Sequence, residues 1–222
     1  MKKNDIWLVI PGYNESQYLD RVLQQVKKQT QNIIYVDDGS SDRSVKIAQK
    51  QLQHVLAHQV NLGKGAALKT GCEYAFKELN AQAVILMDSD DQHQAAELTL
   101  FFKEFAKGRQ LIFGERAIDH RMPLIRVMGN RLVSVVILLL FGNYIPDIPC
   151  GFQAFSKQVY QQLAWEASGY EVELEIAAKT AKLKIPFVTV GIETIYHDLD
   201  RGMTLLDTIK IVAYLINLRF KI

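Results

Sequence analysis

Cysteine is scarce, no long apolar run occurs and the charges nearly cancel, and each shortage removes a class of protein. With only Cys72 and Cys150 in 222 residues, a disulfide framework is excluded. The opening MKKND gives way at once to a strand-like IWLVI and shows no leader pattern, so two free thiols in a reducing compartment are expected. No stretch reaches the roughly 18–20 consecutive apolar residues of a membrane-spanning helix. A net charge of +2 makes the molecule no general binder of polyanions. Nucleic acid is therefore not an expected partner, and any attraction for phosphate must be local. His54, His58, His93, His120 and His197 are scattered without metal-ligand spacing. They read as structural or surface residues, except His93, which adjoins an acidic cluster. Internal repeats, low-complexity tracts and linkers are also missing. What remains is 49% hydrophobic and 23% charged, an ordinary globular chain with enough material for one sizeable core.

The first half alternates between strand and helix patterns. IWLVI (6–10), NIIYV (32–36), HVLAH (54–58), AVILM (83–87) and QLIFGER (110–116) read as strands. Between them lie helical stripes, such as Leu19, Val22, Leu23 and Val26 at i, i+3, i+4 and i+7, with Asn14 and Gln17 as a candidate capping pair. Such alternation argues for an α/β domain with a mostly parallel central sheet and helices on both faces. Ligands of these sheets sit beyond the carboxyl ends of the strands. PGYNE, DDGSSD, NLGKG and DSDDQ each follow an apolar run and so fall at that edge. Beyond residue 117 the pattern changes. A helix over 124–141 ending at Gly142, CGFQAF, a helix from Ser156, a helix around 171–183, short strands near 186–196 and a last helix from Met203 are expected. Residues 1–202 would form the domain and 203–222 a C-terminal amphipathic helix.

In ILMDSDDQHQ (85–94), Asp88 and Asp90 stand at i and i+2 of an extended segment, so their carboxylates share one side. Oxygen ligands of this kind suit Mg²⁺ or Mn²⁺, which usually keeps substrate phosphates among its ligands, and Gln92 could add an amide oxygen. The bland alternative is a solvated acidic turn at a helix start. Asp37 and Asp38 end another strand, either as turn and cap residues or as contacts to a base or ribose. NLGKGAAL (61–68) opens a helix with glycines around Lys64 and could cradle a phosphate on backbone N–H groups, or be no more than a tight turn. It is not a Walker A loop, because Gly65 follows Lys64.

VIPGYNE, VDDGSSD, NLGKGAAL, MDSDDQH, the GER at 114–116, CGFQAF and GYEVEL occur in this order, and together they resemble family 2 glycosyltransferases of GT-A (Rossmann-like) fold. Within that family the sequence is similar to the branch that makes dolichyl- or polyprenyl-phosphate sugars. The resemblance covers residue 5 to about 200. It implies that Pro11, Tyr13 and Glu15 line a nucleoside pocket, with Asp37 or Asp38 against base or ribose. It also implies that Asp88, Asp90 and Gln92 hold the metal on the diphosphate, and that Lys64 and Arg116 meet phosphate or sugar. The family usually has a small or apolar residue where Asp91 stands, so this third carboxylate either alters the metal site or faces water. HDLDRGMT (197–204) matches the family's basic Arg/Gly/Ser stretch in part, and the resemblance there implies Arg201 as a lipid-phosphate contact.

Sugar transfer builds negative charge on a departing diphosphate, and a divalent cation with basic side chains offsets it. A hydroxyl acceptor needs a base, for which Glu171, Glu173 and Asp147 are candidates, although Glu171–Glu175 also reads as a solvated helix start. A lipid phosphate is already anionic and needs none. The favoured activity is inverting transfer of a hexose, from a UDP-glucose or GDP-mannose type of donor, to a polyprenyl phosphate. A glycan hydroxyl acceptor and an inactive membrane-surface module are the rivals. LVSVVILLLF (132–141) is apolar at every position but Ser134 and lies near Arg121, Arg126 and Arg131. It is either a buried helix or a helix at the headgroup level of a membrane, where Arg126 and Arg131 would meet lipid phosphate. The protein would then sit peripherally on the cytoplasmic face of a membrane, alone or with a separate membrane protein partner.

Overall fold

The computed structural model describes residues 1–117, 124–193 and 205–222, and side chains over 1–117, 128–193 and 210–222. A seven-stranded sheet in the order β3-β2-β1-β4-β6-β5-β7 forms the middle layer. Its strands are β1 (Ile6–Gly12), β2 (Ile33–Asp37), β3 (His54–Ala57), β4 (Ala83–Leu86), β5 (Leu111–Arg116), β6 (Gln153–Ser156) and β7 (Val188–Ile192). The helices are α1 (Leu19–Lys27), α2 (Ser44–Gln51), α3 (Lys64–Lys77), α4 (Leu98–Ala106), α5 (Leu124–Phe141), α6 (Lys157–Leu163), α7 (Val172–Lys182) and α8 (Leu205–Lys221).

Side-chain alternation explains why both faces of the sheet are covered. On β1, Leu8 and Ile10 join Leu19, Val22 and Leu23 of α1 and Phe101 and Phe105 of α4 in one core. Val9, between them, enters a second core with Ala67, Leu68 and Cys72 of α3 and Ile176 and Ala177 of α7. The same division splits Ile33 and Tyr35 from Ile34 and Val36 on β2. Cys72 and Cys150 are buried and free, as expected. Trp165 is a buried anchor, whereas Trp7 is only half-buried, edge-on to His54.

One local expectation fails. Asn14 does not cap α1, whose N-cap Tyr18 makes no side-chain hydrogen bond. Asn14 instead adopts a left-handed φ of 57° and accepts from the Ser41 N–H at 2.9 Å, tying the loop after β1 to the loop after β2. The CGFQAF segment, which carried no expected element, supplies β6, a four-residue strand antiparallel to both neighbours. QAFS is too short to declare a period, but its direction matters. Leu86 pairs with Gln153, so β6 enters the sheet from the carboxyl edge of β4. That entry brings Cys150 and Gly151 to the end of β4.

α5 stops at Gly142, whose φ of 85° suits the residue after a helix. Val133, Ser134, Ile137 and Phe141 are buried, while Met128, Leu132, Val135, Leu138 and Leu139 are exposed. α8 packs on α5 and α7 and buries Leu215 and Leu218. Among the described residues, no helix is long and apolar enough to cross a membrane.

Candidate active site

A cleft opens at the carboxyl ends of β1, β2 and β4, lined by Pro11, Tyr13, Glu15, Asp38, Lys64, Asp88, Asp90 and Tyr170. Hydrogen bonds between loops set its walls. The Glu15 N–H donates to Ser44 Oγ at 3.0 Å, and the Ser16 N–H to Asp42 Oδ2 at 3.0 Å. Ser89 Oγ donates to the Pro11 carbonyl at 2.8 Å, fixing the backbone between Asp88 and Asp90 to β1.

The acidic strand end carries a strained but supported turn. Asp90 accepts from the Gln92 N–H at 3.1 Å, and Asp91 between them takes a φ of 60°. Asp91 is buried and ion-paired to Arg21 of α1, so it does not face water. This pair stabilises the left-handed residue that lets Asp90 and Gln92 stay at the rim.

The pKa values of Asp88 and Asp90 are displaced in opposite directions. Burial raises the Asp88 pKa, but the Lys64 ammonium overrides it and holds the group below the ordinary carboxylate range. Asp90 is pushed up to about 6, first by burial and then by repulsion from Asp88. Lys64 Nζ lies 2.7 Å from Asp88 Oδ1, 3.0 Å from Asp88 Oδ2 and 2.7 Å from Glu173 Oε1. Burial opposes the Lys64 charge, yet these two carboxylates keep its pKa well above normal. Glu173 is therefore a buried partner of the cleft residue Lys64, 6% exposed, and not a solvated helix face. Glu175 is buried too, accepting from the Glu166 and Ala167 N–H groups and pairing with Lys179 at 2.8 Å. Of the YEVELE acids only Glu171 is exposed.

Arg116 and Asp147 form a two-pronged pair, with Nε to Oδ2 at 2.8 Å and an Nη to Oδ1 at 2.6 Å. The Arg116 backbone N–H also donates to Asp147 Oδ2 at 2.8 Å, and Asn130 adds a fourth bond at 3.2 Å. Asp147 is thus committed to Arg116, whose charge also contributes to lowering Asp88.

Of the two readings of NLGKG, a phosphate cradle and a tight turn, the hydrogen bonds favour the turn. Leu62 and Gly63 N–H groups donate to Asp38 at 2.9 and 2.7 Å. Those of Gly65 and Ala66 donate to the carbonyls of Gly169 and Ser168 at 3.2 and 3.0 Å. A Cβ on Gly65 would come within 2.2 Å of the Ala167 carbonyl oxygen, which is why glycine stands there. The motif is a docking turn that presents Lys64. Asp38, also bonded to His58 at 2.7 Å, holds that turn in place. Asp37 lies under the loops, accepting from the Ser40 N–H at 2.8 Å, and does not line the cleft. Arg131 is exposed on α5, the Arg126 side chain is not described, and Arg201 lies outside the described residues.

Sequence inspection missed Gly151 as a site residue. A Cβ there would stand 2.4 Å from Asp88 Oδ2 and 2.9 Å from Lys64 Nζ. Gly151→Ala must push the carboxylate or the ammonium aside, and a misplacement of this size is expected to cost about a hundredfold in kcat/KM. A circular-dichroism melt shows whether the fold survives, and the kinetic loss should appear without its collapse. The signal was present in CGFQAF, but its meaning depended on the antiparallel entry of β6. Tyr170, 81% exposed, is a second missed residue, its ring 5.9 Å from Lys64 Nζ across the cleft mouth.

The two carboxylates at the rim are hard oxygen donors of the number that Mg²⁺ or Mn²⁺ takes from protein when phosphates complete its shell. The raised Asp90 and the ammonium clasped by Asp88 both mark a place that favours positive charge. The residues fit such an ion, and among the described residues no group of three or more His, Cys, Asp or Glu offers an alternative.

A sheet with one reversed strand, covered on both faces and bearing its polar cluster at the carboxyl edge, is the GT-A form of the α/β class. The chain belongs to the family described as glycosyl transferase family 2, whose model matches residues 7–164. It is 30% identical to UDP-N-acetylglucosamine–dolichyl-phosphate N-acetylglucosaminyltransferase of Methanococcus voltae, over 96% of this chain and 96% of that protein. It is 28% identical to undecaprenyl-phosphate 4-deoxy-4-formamido-L-arabinose transferase of Photorhabdus laumondii, over 70% of this chain and 50% of that protein. Glucosyl-3-phosphoglycerate synthase from Mycobacterium tuberculosis, crystallised with Mn²⁺, UDP-glucose and phosphoglyceric acid, superposes with a TM-score of 0.73 at 19% identity. That match covers 97% of this chain and 79% of the other, and it speaks for the fold alone.

Proposed function

We propose that the protein transfers a sugar, with inversion, from a nucleoside diphosphate sugar to a polyprenyl phosphate at a membrane surface. The observation that supports the acceptor assignment is that two of the three candidate bases are engaged by cations, Glu173 by Lys64 at 2.7 Å and Asp147 by Arg116 in a two-pronged pair, while the third, Glu171, is exposed and outside the cleft lining. A hydroxyl acceptor must lose a proton to a positioned base. An anionic phosphate oxygen forms its bond to the anomeric carbon as the bond to the leaving diphosphate breaks, and no proton moves.

Asp88, Asp90 and Gln92 would hold a Mg²⁺ or Mn²⁺ ion, whose contribution is Lewis-acid neutralisation of the leaving diphosphate. Lys64 and Arg116 add fixed positive charge to that end of the cleft. Pro11, Tyr13, Glu15 and Asp38 would receive the nucleoside, with Asp37 beneath them shaping the loop and not touching the ligand. UDP sugars come first among the donors to be tried, because the relatives named above include a user of one, and GDP sugars follow. The exposed apolar residues of α5 and α8, flanked by the exposed Arg131, Lys210, Arg219 and Lys221, would bring the cleft to the lipid.

The direct test is incubation of the protein with polyprenyl phosphate in vesicles, a panel of labelled sugar nucleotides, and Mg²⁺ or Mn²⁺. Label should pass into an organic-extractable product labile to mild acid, and label confined to a water-soluble glycan would reject the assignment. Glu173→Gln and Asp147→Asn separate the acceptors further. Loss of a true base costs about 10²–10⁴-fold in turnover, whereas a phosphate acceptor predicts less than about tenfold for each.

A further inference from the structure

The geometry points to Lys64 as a built-in counter-ion of Asp88 that a divalent cation must displace, so that metal and nucleoside diphosphate enter the cleft together. This rests on Asp88 and Asp90 being the metal-holding pair. Nζ sits within hydrogen-bond distance of both Asp88 oxygens, at 2.7 and 3.0 Å, which is the place an incoming cation would need. Asp88 Oδ2 and Lys64 Nζ together fill the space that a side chain at Gly151 would take, 2.4 and 2.9 Å from the position of its Cβ. The ammonium and a doubly charged ion on the same oxygens would repel at close range in a cleft of low dielectric constant.

Lys64 has somewhere to go. Glu173 Oε1 also holds it at 2.7 Å, and Glu173 is anchored on the first turn of α7. Release of Asp88 therefore leaves the ammonium with one carboxylate partner and open to a new one. A diphosphate entering over Lys64 supplies that partner. Metal alone gains Asp88 but strands a charge, while metal with diphosphate gains Asp88 and rehouses the charge. The turn at Asn61–Gly65, bonded to Asp38 and to the 168–169 carbonyls, fixes the root of Lys64, so only its side chain needs to move. Glu173 is in this account a positioning residue, acting on the donor site through Lys64.

The test measures Mn²⁺ binding to the full chain by electron paramagnetic resonance, with and without UDP, and needs no turnover. In the absence of UDP, Lys64→Met should bind Mn²⁺ at least about tenfold tighter than the parent protein, since a full positive charge next to the site is gone. Lys64→Arg keeps the charge and should stay within about twofold of the parent. UDP should tighten Mn²⁺ binding in the parent by a larger factor than in Lys64→Met. Lys64→Gln carries the same expectations as Lys64→Met, should the latter melt early. Unchanged or weaker Mn²⁺ binding by both uncharged variants, with UDP still recruiting Mn²⁺ to the parent, overturns the counter-ion role and leaves the metal pair standing. Failure of UDP to recruit any Mn²⁺ to the parent removes the metal pair and this inference together.

Discussion

Replacing Asp88 and Asp90 together by asparagine is expected to lower kcat/KM for sugar transfer by at least about a thousandfold, with the fold intact. The size follows from where the charge develops. Rupture of the bond to the donor diphosphate leaves negative charge at the rim of β4, and fixed positive charge there is worth most in the transition state. Asparagine keeps the volume and one oxygen but removes the charge that would hold a divalent ion. Structural costs should be modest, because the two carboxylates repel one another and burial further disfavours Asp90 in its charged form. Asp90→Asn alone should leave the thermal midpoint unchanged or raised, as it removes a group whose ionisation is costly in the folded state. Asp88→Asn frees Lys64 from one partner but leaves Glu173 in place. Undiminished transfer by the double variant in the presence of chelator would end the case for metal at this site.

Much of the fold was legible because its signals are local. The stripe in α1, the continuous apolar run of β4 and the glycine after α5 each follow from spacing or composition within a few residues. The edge at which the site lies was legible for the same reason, since each of the first four strands was followed by its own polar cluster. What escaped was decided by residues distant in the chain. β6 is four residues long and its direction is set by the return of the chain after α5, so neither its strand character nor the approach of Gly151 to Asp88 had a local sign. NLGKG looked like an anion cradle because its own sequence allows one. The 168–169 carbonyls, about a hundred residues away, take the N–H groups instead. Asp91 looked like an added metal ligand or an idle charge until Arg21 of α1 supplied its partner. YEVELE looked like a solvated helix start because glutamates usually are exposed. Burial of Glu173 and Glu175 depends on Lys64 and on the 166–167 backbone meeting them. Type and periodicity thus located the cleft, while the state of each charge in it required the tertiary partners.

Leu139→Glu combined with Phe220→Glu is expected to reduce partition onto anionic vesicles by about a hundredfold or more. Leu139 is 78% and Phe220 85% exposed, on the two packed helices α5 and α8. Burying such a side chain contributes roughly 1.5–3 kcal/mol, so losing both removes a factor of this order before any repulsion between glutamate and anionic lipid is counted. Neither side chain supports the interior, so the thermal midpoint should hold within a few degrees. Sedimentation with phosphatidylglycerol-containing vesicles reads the partition directly. Adding salt should weaken the parent protein as well, because Arg131, Lys210, Arg219 and Lys221 act through screened charges, but it should not abolish an attachment that is partly apolar. If the parent protein ignores vesicles altogether, the apolar face belongs to another protein. The substrate would then have to be delivered through a partner that itself reaches the lipid. If the parent binds and the variant binds equally well, α5 and α8 are not the contact, and the basic residues alone would have to bring the cleft to its acceptor.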